Sequence, residues 1–298
     1  MVQNFVISVS VLLLVLFTTA CVSPQNPEQR ADQVLRTNNT YSTNMPAGNL
    51  TVHFIDVGTG DSELIQTPSG RTMLIDAGDP DNGEFVADYL KNMGINTLDV
   101  VVASSPGNNK IGGMPWILSN FTVGDFLESG DTHNPTPYYI PLLALIQQKN
   151  IPYRTVKTGD IISLDPAVAI TVLNPQETMS NSAGKNSVVL KMTYGTISFL
   201  FMGDVWGEAE TTIATSARHA DILKVGHHGS STATGMAFLS IVKPEVSVIG
   251  THTDTFGYRS PATIQRLKDS GSVVYITDVN GTVMVMSDGN TYSVVTER

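Results

Sequence analysis

Two stretches of the 298-residue chain hold side chains whose types and placement could carry chemistry. In the first, the apolar run Leu98 to Ala103 breaks into Ser104-Ser105-Pro106-Gly107-Asn108-Asn109-Lys110 and then Ile111-Gly112-Gly113. In the second, Ile222 to Val225 runs straight into Gly226-His227-His228-Gly229-Ser230-Ser231. Both read as a buried strand opening into a polar turn, and the carboxyl ends of strands are where α/β folds place their ligands. Adjacent imidazoles can donate to a divalent ion or carry protons near neutral pH. Ser104 and Ser105 are conceivable nucleophiles beside His227, but no activated-serine signature surrounds them.

The elements that must position these turns follow from pattern. Leu50 to Val57 is a strand by composition, followed by the turn Gly58-Thr59-Gly60-Asp61, a strand over 62–66, the turn Pro68-Ser69-Gly70, and a strand over 72–75 ending in Asp76-Ala77-Gly78. Those spacings fit an antiparallel series. Phe85, Tyr89, Leu90 and Met93 recur at helical spacing and predict a helix over 81–93, stopped by Gly94. Beyond a short helix through Trp116, Ile117 and Leu118, the pattern predicts a short strand at Phe126-Leu127 and a helix over 138–148. Strands over 153–156, 161–163 and 169–173 follow, then a hairpin of 188–193 with 196–202 across Tyr194-Gly195, and a helix over 208–218. After the paired histidines come a helix (236–241), a strand (246–249), a helix (261–268), a strand (273–276) and a closing hairpin (282–287 with 291–295). Antiparallel runs mixed with helix-linked strands in both halves predict an α/β architecture of two face-to-face sheets with helices outside.

The totals narrow the classes. Hydrophobic residues make up 41% of the chain and charged ones only 15%, enough for one large core or two small ones. A formal charge of −10 disfavours general electrostatic binding to nucleic acid, although a small basic groove is compatible with it. The single cysteine, Cys21, rules out an intrachain disulfide framework and a cysteine-rich zinc site. Phe5 to Val22 is apolar and uncharged, and Thr18-Thr19-Ala20 precedes Cys21 in a way that resembles a lipoprotein processing site. Two departures stand: no Lys or Arg precedes the apolar run, and Thr18 stands where a leucine-like residue is usual. An uncleaved membrane anchor is the alternative. The expected organisation is a signal or lipid-anchor segment (1–21), a polar tether rich in Pro, Gln, Asn, Thr and Ser (22–49), and one domain over 50–298, placed outside the cytoplasm at the membrane.

Taken in order, HFIDVGTGDSELIQTPSGRTMLIDAG, IGG, FLFMGD, ADILKVGHHGSS and NGTVMVMSDG resemble the metallo-β-lactamase fold, specifically the hydrolase domain of ComEC-type competence proteins. The resemblance covers Leu50 to the end and implies a four-layer αββα sandwich with its site along the edge between the sheets. It implies hydrolysis of phosphodiester or ester bonds by one or two divalent ions, commonly zinc or manganese, with DNA as the substrate class. Such ions lower the pKa of a bound water and steady charge on the attacking and leaving oxygens. Aligned on Ile111-Gly112-Gly113, the family's His-x-His-x-Asp-His positions are Ser105, Gly107, Asn109 and Lys110 here, and none keeps its ligand. What remains is Asp204, matching the bridging carboxylate, and His227 and His228, matching the paired histidines. These three are the candidate catalytic residues, with Asp204 and His227 as candidate ligands of one divalent ion. By the same resemblance Asp56, Asp61 and Asp76 brace loops, and Gly257-Tyr258-Arg259-Ser260 replaces a further histidine-bearing segment.

Each of these features has a plainer reading. Asp204 with His227 and His228 is also consistent with a hydrogen-bonded remnant that binds no metal. Lys110 could place its ammonium where a metal would neutralise Asp204, or be an exposed loop lysine. His53 reads as a satisfied strand residue and His219 as surface, while His133 falls in a rim loop where it could meet substrate or metal, and His252, in another rim loop with Asp254 and Tyr258, could restore a lost imidazole. The functions in view are a metal-dependent phosphodiesterase with impaired catalysis, a non-catalytic binding or scaffold lipoprotein, and a metal-free hydrolase using Asp204 with an imidazole.

Overall fold

A computed structural model describes residues 48–133, 136–251 and 258–298; the apolar run, Cys21 and most of the tether, with His252 and Asp254, lie outside the described residues. The chain lays down β1 (Leu50–Phe54), β2 (Glu63–Gln66), β3 (Thr72–Ile75), β4 (Thr97–Ala103), β5 (Thr122–Glu128) and β6 (Tyr153–Thr155). It continues with β7 (Val168–Asn174), β8 (Val189–Tyr194), β9 (Ile197–Phe201), β10 (Ile222–Lys224), β11 (Val246–Ile249) and β12 (Val273–Ile276), then β13 (Val283–Ser287) and β14 (Tyr292–Thr296). One sheet has the order β14-β13-β1-β2-β3-β4-β5-β6 and the other β12-β11-β10-β9-β8-β7.

Three apolar clusters define four layers. Between the sheets lie Val52, Phe54, Ile65, Met73, Val100 and Val102 of the first, against Phe199, Phe201, Ile222 and Val248 of the second. The outer face of the first sheet buries Leu64, Leu74, Leu98 and Val101 under the helices Gly83–Asn92, Met114–Asn120 and Tyr139–Gln148. The outer face of the second buries Leu200, Leu223 and Ile249 under Glu208–Ala217, Met236–Val242 and Pro261–Asp269. Alternate residues of β4 thus serve different cores, which is why an inner parallel strand reads as an unbroken apolar run. This is the expected αββα sandwich.

Some elements differ from the expectation. Residues 161–163 form no strand; Ile161 makes one isolated bridge to Thr171. The helix expected from 81 begins at Gly83, after a 3₁₀ turn over Pro80–Asn82 in which the Asn82 side chain accepts from Asp79 N–H at 3.0 Å. β5 is seven residues long where only Phe126-Leu127 stood out, because Gly124 and Asp125 break its apolar pattern. Gly124 is there for space: a Cβ would meet the Asp99 carbonyl oxygen of β4 at 2.6 Å.

Candidate functional site

The parallel pairing of β3, β4 and β5 brings their carboxyl ends to one edge, so Asp76, the Ser104–Lys110 loop and the segment after Glu128 lie side by side. From the second sheet, Asp204 follows β9 and His227-His228 follow β10, also parallel neighbours. The loop after β4 is not irregular throughout: Asn108–Ile111 closes one helical turn and turns Lys110 inward to complete burial. Its backbone is stitched at both sides, Asp61 N–H donating to the Asn109 carbonyl (3.1 Å) and Ala77 N–H to the Lys110 carbonyl (2.8 Å).

The Lys110 ammonium is the centre of the site. Nζ lies 2.5 Å from Asp61 Oδ2, 2.8 Å from Asp204 Oδ1 and 3.0 Å from His228 Nε2. Asp61 is bridged on its other oxygen by Lys224 Nζ at 2.6 Å, and Lys224 is itself 3.9 Å from the buried Glu63. Burial would raise the Asp61 carboxyl, but the Lys110 and Lys224 ammoniums outweigh it and hold it well below the usual range. For Asp204 burial also pushes upward and Lys110 again wins, so its pKa is lowered. Lys110 responds in kind: burial favours the neutral amine, but Asp204, Asp61 and Asp76 keep it protonated, its pKa raised.

His228 is fully buried, and its tautomer follows from its partners. Nδ1–H donates to the Gly250 carbonyl at 2.7 Å, leaving Nε2 to accept from Lys110 and from Asn109 Nδ2 at 2.8 Å. Burial, with the Lys110 charge, lowers its pKa to about 4, so the ring is neutral at pH 7. Both histidines sit in left-handed backbone (φ 47° and 50°), a strained state that the bonds His227 N–H to Gly203 O (3.0 Å) and Arg259 N–H to His228 O (2.9 Å) hold in place. The strain aims the two rings differently. His227 lies outside the ammonium cluster, between Trp206 (centroids 6.2 Å, stacked) and Tyr258 (5.7 Å, edge-on), with Lys185 Nζ 4.5 Å over the Trp206 ring. Burial lowers its pKa, and its Nδ1 has no hydrogen-bond partner among the described residues.

The ligand set therefore differs from the sequence expectation of Asp204 with His227. The donor atoms that converge, all within 4.8 Å of one another, belong to Asp61, Asp204 and His228. Asp61 was read as a loop brace; its burial beside two lysines was not legible, although Lys224, a charge inside an otherwise apolar buried strand, was a signal. Donor types and spacing suit a divalent ion, whose bonds to oxygen and imidazole nitrogen run about 2.0–2.2 Å. The point such an ion would need is held by Lys110 Nζ, which contacts every one of the three donors. The residues as arranged do not fit a metal.

The other degenerate positions carry no ligand. Ser105 Oγ is buried and accepts from Gly107 N–H at 3.4 Å, and Ser104 Oγ donates to Asp76 Oδ2 at 2.5 Å. Burial raises the Asp76 carboxyl to about 7 against the pull of Lys110 and Ser104. At the rim, His133 Nδ1 lies 2.6 Å from the buried Asp131, whose other oxygen accepts from Asn186 Nδ2 at 2.9 Å. His219 is half-exposed and contacts Asp221 at 3.0 Å.

Four layers with a site at the shared edge of two sheets define the metallo-β-lactamase fold, which is the architecture of this chain. A solved structure with this architecture, Zn(2+)-bound PqqB from Methylobacterium extorquens, superposes with a TM-score of 0.51 over 76% of this chain and 97% of that one, at 9% identity. Among curated proteins, ComE operon protein 3 of Bacillus subtilis is 27% identical over 253 residues, 78% of this chain and 32% of that protein. Recombination protein 2 of Haemophilus influenzae is 28% identical over 242 residues, 78% of this chain and 28% of that protein. The chain thus has the metallo-β-lactamase fold and is similar in sequence to a part of these competence and recombination proteins, about a third of their length. No protein-family model matches the chain.

Proposed function

We propose that this chain is a membrane-tethered, extracytoplasmic ComEC-type domain that has given up metal-dependent hydrolysis and acts by binding. The observation that carries this reading is the Lys110 ammonium in contact with Asp61, Asp204 and His228 together. A catalytic ion lowers the pKa of a bound water only if it has an open coordination position and a filled remainder. Here three ligand positions of the family loop are Ser105, Gly107 and Asn109, and the fourth is the cation itself. The competence and recombination proteins among its relatives support a phosphodiester strand as the ligand class. The Trp206–His227 surface offers stacking for it, and the one ammonium there, Lys185, is shared with Glu208 at 2.8 Å, which suits single strands better than duplex for a chain of charge −10. The rival reading, a metal-dependent phosphodiesterase, draws on the convergence of the same three donors but requires Lys110 to leave.

Metal analysis of the purified full chain, beside hydrolysis of bis(p-nitrophenyl) phosphate with added manganese or zinc, decides between them. The expected result is far less than one metal per chain and no turnover above buffer. Stoichiometric metal with turnover abolished by Asp204→Ala would overturn the proposal.

A further inference from the structure

We infer that Lys110 is a covalently tethered replacement for a divalent cation, and that Asp61, Asp204 and His228 bind such a cation once the ammonium is removed. The inference rests on the reading above, that the native centre takes no metal. Three observations carry it. The donor atoms already lie within 4.8 Å of one another, on three separate loops whose backbones are fixed independently of the Lys110 side chain. His228 presents the Nε2 lone pair inward because its Nδ1–H is committed to the Gly250 carbonyl, the outer partner that orients a ligating imidazole in metal sites; the Asn109 amide, which also donates to Nε2 at 2.8 Å, has to turn aside for that nitrogen to ligate. Asp61 keeps Lys224 on its far oxygen. Deleting Lys110 therefore leaves the cluster short of positive charge at one point, while the surrounding shell stays paired.

The same geometry says what the cation must be. Two carboxylate oxygens and one imidazole nitrogen suit zinc or cobalt, with water completing the coordination. Calcium and magnesium, which prefer all-oxygen shells, are disfavoured. In Lys110→His the shorter side chain would end before the ammonium's place, leave that point to the ion and offer its imidazole nitrogen as a fourth donor.

The test is thermal unfolding and metal titration of the full chain, native and variant, with zinc and with cobalt. Lys110→Ala is expected to unfold well below the native chain without metal. It should take up one ion per chain and gain roughly 5–10 °C in Tm when zinc is about 100-fold above its Kd. Cobalt should give the visible bands of a low-symmetry site, and adding His228→Ala to Lys110→Ala should remove both effects. Lys110→His should bind more tightly than Lys110→Ala, and it serves where the alanine variant folds only with metal present. If both variants fold and neither binds, or neither folds even with zinc, the inference is overturned. Stoichiometric binding by the native chain would instead overturn the reading on which it rests.

Discussion

Lys110, Lys224, Asp61, Glu63, His53 and His228 are all buried, and each must be paired or neutral to stay so. The first three are charged and pair, whereas Glu63 is driven well above the usual carboxyl range, chiefly by burial. Removing one partner of such a network costs about 3–5 kcal/mol, because the other charge remains buried. His53 shows the neutral solution away from the site. Its Nε2–H donates to Gln66 Oε1 at 3.0 Å and its Nδ1 accepts from Tyr89 OH at 2.8 Å, which satisfies one neutral tautomer. Burial lowers its pKa to about 4 from an ordinary 6.5, only partly offset by Gln66. Between those values the unfolded chain binds the proton and the folded one does not, so stability falls as pH drops from 6.5 to 4, by ~3 kcal/mol in all. Asp76 has the opposite sign: raised from 3.8 to about 7, it makes stability fall as pH rises through that range. His53→Gln should therefore be less stable at pH 7 yet lose less on acidification. Urea midpoints from pH 7 down to 4.5 check this, and a slope equal to the native one would refute it.

At the scale of elements, the Gly112-Gly113 pair matters for the room it leaves. A Cβ on Gly113 would meet the Ala77 carbonyl oxygen at 2.1 Å and Gly83 Cα at 2.9 Å, all backbone that cannot step aside. The same segment holds the Lys110 carbonyl through Ala77 N–H, so a displaced backbone there also displaces the ammonium. Gly113→Ala is expected to cost about 3 kcal/mol or more in urea unfolding. Gly94→Ala has a positive φ (76°) but nothing within 4 Å, and should cost only about 1 kcal/mol. Equal losses would show that close approach is not what the glycine serves. These elements also mark how far the sequence could be read. Strands buried on both faces announce themselves as apolar runs, so β4, β9 and β10 with the turns after them were legible, and with them the edge that holds the site. β5 was legible only in part because its Gly124 and Asp125 answer to neighbours distant in sequence, the Asp99 backbone and Arg154. Which of two adjacent histidines turns inward depends on left-handed backbone at both, and no residue pattern states that. Asp61 was invisible for a similar reason: its partners come from the turn after β4 and from the end of β10.

For the whole molecule, charge and attachment have to be considered together. The chain carries 27 acidic and 17 basic side chains, and no helix among the described residues is long and apolar enough to cross a membrane. An anionic membrane surface repels a body of net charge −10, because adsorption there needs clusters of Lys and Arg. The membrane attachment proposed above is therefore assigned to the segment before the tether. Two chemistries are open to it, a lipid-modified Cys21 after cleavage, or the uncleaved apolar run Phe5 to Val22 acting as an anchor. They respond differently to one substitution. Cys21→Ser removes the only thiol and leaves the hydropathy of the run almost unchanged. If a lipid on Cys21 makes the attachment, radiolabelled palmitate is incorporated by the native chain and not by Cys21→Ser. The variant then either keeps its full mass or appears in the soluble fraction after loss of the run. A Cys21→Ser chain that matches the native one in mass and membrane fraction, with no label in either, would assign the attachment to the apolar run instead.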